Sequence, residues 1–225
     1  MREDSDLEFL KKCRDEDLNK LEFILTKDGD GEARRNCSLN GSDIYKKHYP
    51  KHSQYCSELI KELQEYGGHT IMNFTRGTGV VYREILEDAC SHEGIDFNKK
   101  EVTTIELEER FCKKYLGERF KHLTKDQQFE LLNDLNISST GFSEQGILAA
   151  LKVGGGLALK NVASKPVTLL LGLGWVANGA WIAHDISGPA YRVTKPAILE
   201  IYLLRQKVNN TIIGKIKKML RFRVC

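Results

Sequence analysis

Arg76-Gly77-Thr78-Gly79 and the nearby Tyr82 are the residues whose types and spacing come closest to a binding site. A tight glycine turn can aim backbone amides at an anion, and an arginine beside it can add a charge-assisted hydrogen bond. Arg76, Gly77, Gly79 and Tyr82 are therefore the anion- or ligand-binding candidates. The stretch matches neither GxGxxG nor GxxxxGK[ST], because it has too few glycines and no phosphate-binding lysine at the required distance. A corner between two helices, with Arg76 paired to a carboxylate, explains the same residues.

Other groupings suggest less chemistry. His48, His52 and Cys56 recur every four residues, which on one helix would align three zinc-capable ligands, but Pro50 interrupts that geometry and a fourth ligand is lacking. Asp28-Gly29-Asp30-Gly31 has half the look of a calcium loop without the distal glutamate, and reads as a solvated turn. Cys90 with His92, and His184 beside Asp185, are neighbours in sequence only, which does not make a catalytic dyad. No catalytic residue, metal or cofactor is assigned. The balance is against an enzyme, with a small-molecule or nucleotide-binding enzyme centred on residues 76–79 kept as one alternative.

The formal charge of +3 over 225 residues conceals an asymmetry. Met1 to Phe142 carries 22 Lys and Arg against 28 Asp and Glu, whereas Ser143 to Cys225 carries 12 against 3. The C-terminal part is thus expected to meet an anionic partner, or to be attracted to the front half within one fold. The six cysteines are scattered without a CxxC pair, and the acidic opening lacks a signal peptide's apolar stretch. Both features predict a cytoplasmic, reduced protein.

Helices dominate the periodicity. Ser5 to Glu8 has capping-box spacing, and Leu18, Leu21, Ile24 and Leu25 form a stripe from about Asp15 to Lys27. Ser53 is expected to cap a helix with Cys56, Leu59, Ile60, Leu63 and Tyr66 inside and Gly67-Gly68 as its stop. A further helix carries Val81, Ile85, Leu86 and Ala89, and Thr103 with Glu106 opens one that places Leu107, Phe111 and Tyr115 in line. Thr124 with Gln127 starts another, leading to Phe129, Leu132 and Leu135. The predicted fold is all-α, with an acidic helical domain over residues 1–137, a linker over 138–145, and a Gly-rich apolar hairpin with basic C-terminal helices over 146–225.

That last region shapes the functional expectation. Pro166 to Ala183 is eighteen residues without a charge, which as a helix would extend roughly 27 Å, slightly short of a ~30 Å hydrocarbon core. Ala150, Gly154 and Ala158 recur every four residues, a spacing that lets helices approach closely. Ile201 to Cys225 holds seven basic residues and no acidic one, and Ile212, Ile216, Met219 and Leu220 can share one side of a cationic amphipathic helix. Trp175, Trp181, Lys215, Lys217, Lys218, Arg221, Phe222 and Arg223 are the membrane-contact candidates. Nucleic acid is the lesser partner, because no reading motif accompanies the charge, and packing of the apolar face onto the protein itself is the plain alternative.

Asp4-Ser5-Asp6-Leu7-Glu8-Phe9-Leu10, Gly67-Gly68, Arg76-Gly77-Thr78-Gly79, Tyr82 to Leu86 and Tyr191 to Leu199 together resemble the bacterial YaaW family. The resemblance covers most of the chain and implies no catalytic residues. Through it the N-terminal region bears a remote likeness to the ubiquinol-cytochrome c chaperone domain, a helical module linked to assembly of a membrane complex. The expected function is a non-enzymatic helical protein, peripheral to the inner membrane, that binds a protein partner through its N-terminal domain. A soluble adaptor or assembly chaperone with the Gly-rich region buried is the principal alternative.

Overall fold

The computed structural model describes residues 2–28, 32–35, 37–68, 79–134 and 191–221. They form an all-α structure with no strand among the described residues, beyond a single bridge between Lys27 and Ala33. In chain order the helices are α1 (Asp15–Thr26), α2 (Asp43–His48), α3 (Cys56–Gly68), α4 (Tyr82–His92), α5 (Thr104–Lys121), α6 (Lys125–Asp134) and α7 (Tyr191–Arg221). Short 3-10 turns at Glu8–Lys12, Leu39–Gly41 and His52–Tyr55 connect or precede them.

The core assembles from the predicted stripes. Leu18, Leu21, Ile24 and Leu25 of α1, Leu59, Ile60 and Leu63 of α3, Ile85, Leu86 and Ala89 of α4, and Leu107, Phe111, Cys112 and Leu116 of α5 are all buried together. The Thr103 hydroxyl accepts from the Glu106 amide at 3.3 Å while the Glu106 carboxylate accepts from the Thr103 amide at 2.9 Å, a reciprocal cap that fixes the start of α5. Thr124 and Gln127 exchange the same pair of bonds at α6.

Several local expectations differ from the structure. Ser5 and Glu8 form no capping box. Residues 8–12 make a 3-10 turn, and Glu8 instead accepts from Lys11 at 2.7 Å. Ser53 does not cap α3 directly, because the turn His52–Tyr55 leads into it and the Ser53 amide donates to Asp15 Oδ1 at 2.7 Å. Gly67 is a helical residue, not a left-handed stop. Its lack of a Cβ is required by packing, since a methyl there would sit 2.7 Å from Ile85 Cδ1 and 2.8 Å from Val80 Cγ2. Phe129 on α6 is 62% exposed.

The centre of the structure is the first half of α7. Val193, Ala197, Ile198, Leu199, Ile201 and Tyr202 are fully enclosed, and the helix packs on α1, α3, α4, α5 and the Glu8–Lys12 turn. Arg192 aside, every residue from Tyr191 to Arg205 is buried, so this half of the helix is surrounded by protein. Tyr191 to Arg205 thus shares one core with helices drawn from the front half of the chain. The proposed linker 138–145 and the Gly-rich residues 146–190 lie outside the described residues.

Candidate functional site

Lys195, Glu200 and Arg205 are buried charges within the enclosed half of α7, and each faces a group from the N-terminal part of the chain, as does Lys207 two residues further on. Arg205 grips Glu108 of α5 through two nitrogens, Nη2 to Oε1 at 2.9 Å and Nε to Oε2 at 3.0 Å, and its Nη2 also donates to the Asp6 carbonyl at 2.8 Å. The guanidinium stacks 4.3 Å from the Phe9 ring centre. Glu108 is fully buried, and burial raises its pKa against the opposing pull of Arg205. A buried ion pair needs this many partners to offset the loss of hydration.

One turn earlier, Glu200 faces α1. Burial pushes its pKa up to about 7, with Lys20 and Lys207 pulling the other way. Lys20 Nζ is buried without a hydrogen-bond partner among the described residues, and burial lowers its pKa. Lys207 Nζ donates to Asp17 Oδ1 at 2.5 Å. Burial alone would raise the Asp17 pKa, but Arg14 and Lys207 together hold it below the usual range. Nearer the start of α7, Lys195 Nζ lies 2.8 Å from Glu93 Oε1, and the Tyr191 hydroxyl donates to Asp88 at 2.8 Å while its ring packs 4.1 Å from His92. These pairs fix the rotation of α7 and its height in the core.

The same network secures the N-terminus. Asp4 Oδ2 accepts from the Tyr82 amide at 2.6 Å, at the first residue of α4. Gln64 of α3 exchanges two 3.0 Å bonds with the Arg2 backbone, and Thr104 Oγ1 donates to Asp6 at 3.0 Å.

The sequence-derived candidates fall in different places. Arg76 and Gly77 lie outside the described residues. Gly79 sits against α3, where a Cβ would come 2.8 Å from that of Gln64. Tyr82 is fully buried, and its hydroxyl lies inside the core beside Glu108 and not on an open corner. Trp175, Trp181, Phe222 and Arg223 are outside the described residues, while Lys215, Lys217, Lys218 and Arg221 lie on the backbone of α7. No group of three metal-capable side chains occurs among the described residues, and His52 and Cys56 are buried, with His52 Nδ1 paired to the Tyr55 hydroxyl. Cys90 is fully buried, and burial raises its thiol to about 12. That is the opposite of what a nucleophilic thiolate requires.

Arg205, Glu108, Glu200 and Lys20 were not among the sequence-derived candidates. Glu200 alone had a signal, since it stands in the mostly apolar run Val193 to Leu204, where a glutamate must find a partner in the interior; Arg205, Glu108 and Lys20 had none in the local sequence.

The match of residues 1–35 to the family described as Domain of unknown function (DUF3944) falls on the segment that braces α3, α4 and α7. The chain is 34% identical to a UPF0174 protein of Helicobacter pylori J99 over 91% of its length and 92% of the relative. It is 30% identical to the UPF0174 protein YaaW of Escherichia coli K12 over 92% of its length and 96% of the relative. This helical protein belongs to the UPF0174 family, the YaaW group, which is uncharacterised. No solved structure matches it.

Two measurements test the seam. Arg205→Ala and Glu108→Ala should each cost about 3 to 5 kcal/mol in denaturant unfolding, because each leaves a buried charge alone, while Arg205→Met with Glu108→Leu should recover most of that loss. For Glu200, the folded pKa of about 7 exceeds its ordinary 4.5. The folded state therefore holds the extra proton, and stability falls as pH rises between those values. Glu200→Gln should flatten that slope and, above the window, add up to about 3 kcal/mol.

Proposed function

We propose that the protein is a non-enzymatic adaptor of the inner membrane surface, attached to anionic lipid by the distal half of α7 while its N-terminal body binds a protein partner. The continuity of α7 carries this reading. The helix is locked in the core as far as Arg205, is exposed at Asn209, Asn210 and Thr211, and runs on without a break to Arg221. The sixteen residues from Gln206 to Arg221 extend about 24 Å. Their sequence holds Lys207, already paired to Asp17, then Lys215, Lys217, Lys218 and Arg221, with no acid. Each cation near an anionic bilayer contributes about 1 kcal/mol, added to burial of apolar side chains.

No helix among the described residues is long and apolar enough to cross a membrane. A second reading, a soluble assembly adaptor, draws support from the enclosure of Tyr191 to Arg205 by the chain's own helices.

Vesicle flotation separates the two. The full chain should float with phosphatidylcholine vesicles containing about a third phosphatidylglycerol, and reversing Lys215, Lys217, Lys218 and Arg221 to Glu should weaken partition at least about ten-fold. A full chain that stays unbound on both neutral and anionic vesicles would favour the soluble adaptor. A chain cut before Tyr191 would lose a core helix, so charge reversal is the sounder comparison.

A further inference from the structure

The turn that follows α2 presents a second surface of the same chemistry. Lys46, Lys47, Tyr49, Pro50 and Lys51 are exposed in succession, and Ile44 is 47% and Tyr49 57% exposed beside them. Isolated exposed apolar residues are ordinary. Here they are gathered among three lysines and held from beneath. The Tyr49 ring packs on Tyr45 at 5.6 Å and on His52 at 5.9 Å, and the Tyr45 hydroxyl donates to buried Glu22 at 2.6 Å. The Lys51 amide donates to the His48 carbonyl at 2.7 Å, which fixes the turn itself.

The acids beneath are already engaged. Glu22 is bonded to Tyr45 and Thr26, Asp15 to the Ser53 amide, and Asp17 to Arg14 and Lys207. Asp43 is the one acid in the stretch 43–51. Lys46 Nζ lies 3.2 Å from the Gly41 carbonyl, a neutral acceptor.

This corner also adjoins the place where α7 leaves the core. Ser53, just after the turn, is bonded to Asp15 in the first turn of α1, and Asp17 in that same turn holds Lys207. The geometry points to a bipartite membrane contact, in which Lys46, Lys47 and Lys51 meet anionic headgroups while Ile44, Tyr49 and Pro50 enter the interfacial layer beside the emerging tail. Tyrosine is favoured at that depth, and lysine stems can reach outward from it. An aliphatic side chain and a proline gain from a hydrocarbon boundary and gain nothing from a phosphate backbone, which favours lipid over nucleic acid. This inference rests on the membrane reading of α7.

The test uses the full chain with Tyr49→Cys carrying a polarity-sensitive dye, with wild-type chain treated in parallel for background labelling. On vesicles with about a third phosphatidylglycerol, the dye should shift to the blue, and Lys46→Gln with Lys47→Gln and Lys51→Gln should weaken partition of the unlabelled chain about ten-fold or more. A protein that floats while the dye keeps its aqueous emission would overturn the second contact and leave the tail reading standing. Failure to float at all would remove both. Tight binding to duplex DNA by the wild-type chain, abolished by the same lysine changes and with no preference for anionic vesicles, would assign the corner to nucleic acid instead.

Discussion

A helix that is apolar around its whole circumference cannot rest on a surface; it has to be surrounded. Tyr191 to Leu204 is mostly apolar and, Arg192 aside, buried throughout, and the N-terminal helices are arranged as its enclosure, with α1, α3, α4, α5 and the Glu8–Lys12 turn each supplying a wall. The hydrophobic gain from this burial sets the architecture, because non-polar area removed from water contributes about 25 cal/mol per Å² and the enclosed residues include the large side chains of Tyr202, Ile198 and Ile201. Apolar burial is not directional, however. It would tolerate α7 rotated or slid by a turn.

The buried charges remove that freedom. Arg205 can meet Glu108 and the Asp6 carbonyl in one register only, and Lys195 with Glu93 repeats the condition three turns away. Such pairs add little net stability compared with an apolar core of the same shape, since dehydration consumes most of their attraction. Their effect is to make alternative registers expensive. The same seam ties Asp6 and Asp4 to α5 and α4, so the first residues of the chain brace a helix from its far end.

The all-α class, the stripes of α1, α3, α4 and α5, and the caps at Thr103 and Thr124 were legible because helical period and capping chemistry are local. The role of α7 was not. Val193 to Leu204 lacks a polar face, and a helix without one gives no amphipathic signal that points to its neighbours. The basic residues after Arg205 drew attention to the tail as a unit, whereas the structure encloses α7 as far as Arg205 and exposes it at Asn209 to Thr211. Gly67 shows the same limit on a smaller scale. A glycine near a helix end suggests a stop from local rules, while contacts with Ile85 and Val80 from a later helix are what exclude a side chain there. Tyr82, next to a glycine turn in sequence, belongs to the interior because Asp4 and Glu108, distant along the chain, surround it.

Native-state hydrogen exchange in the absence of lipid tests the central claim most directly. If α7 is the enclosed centre of the structure, the amides of Ile198 to Leu204 exchange only through global unfolding, with the same free energy as those of α1 and α5, while Asn209 to Thr211 exchange through local opening. Exchange of Ile198 to Leu204 through a partial opening that leaves α1 and α5 protected would contradict it, because α7 would then be an attachment to the N-terminal helices and not the element around which they fold.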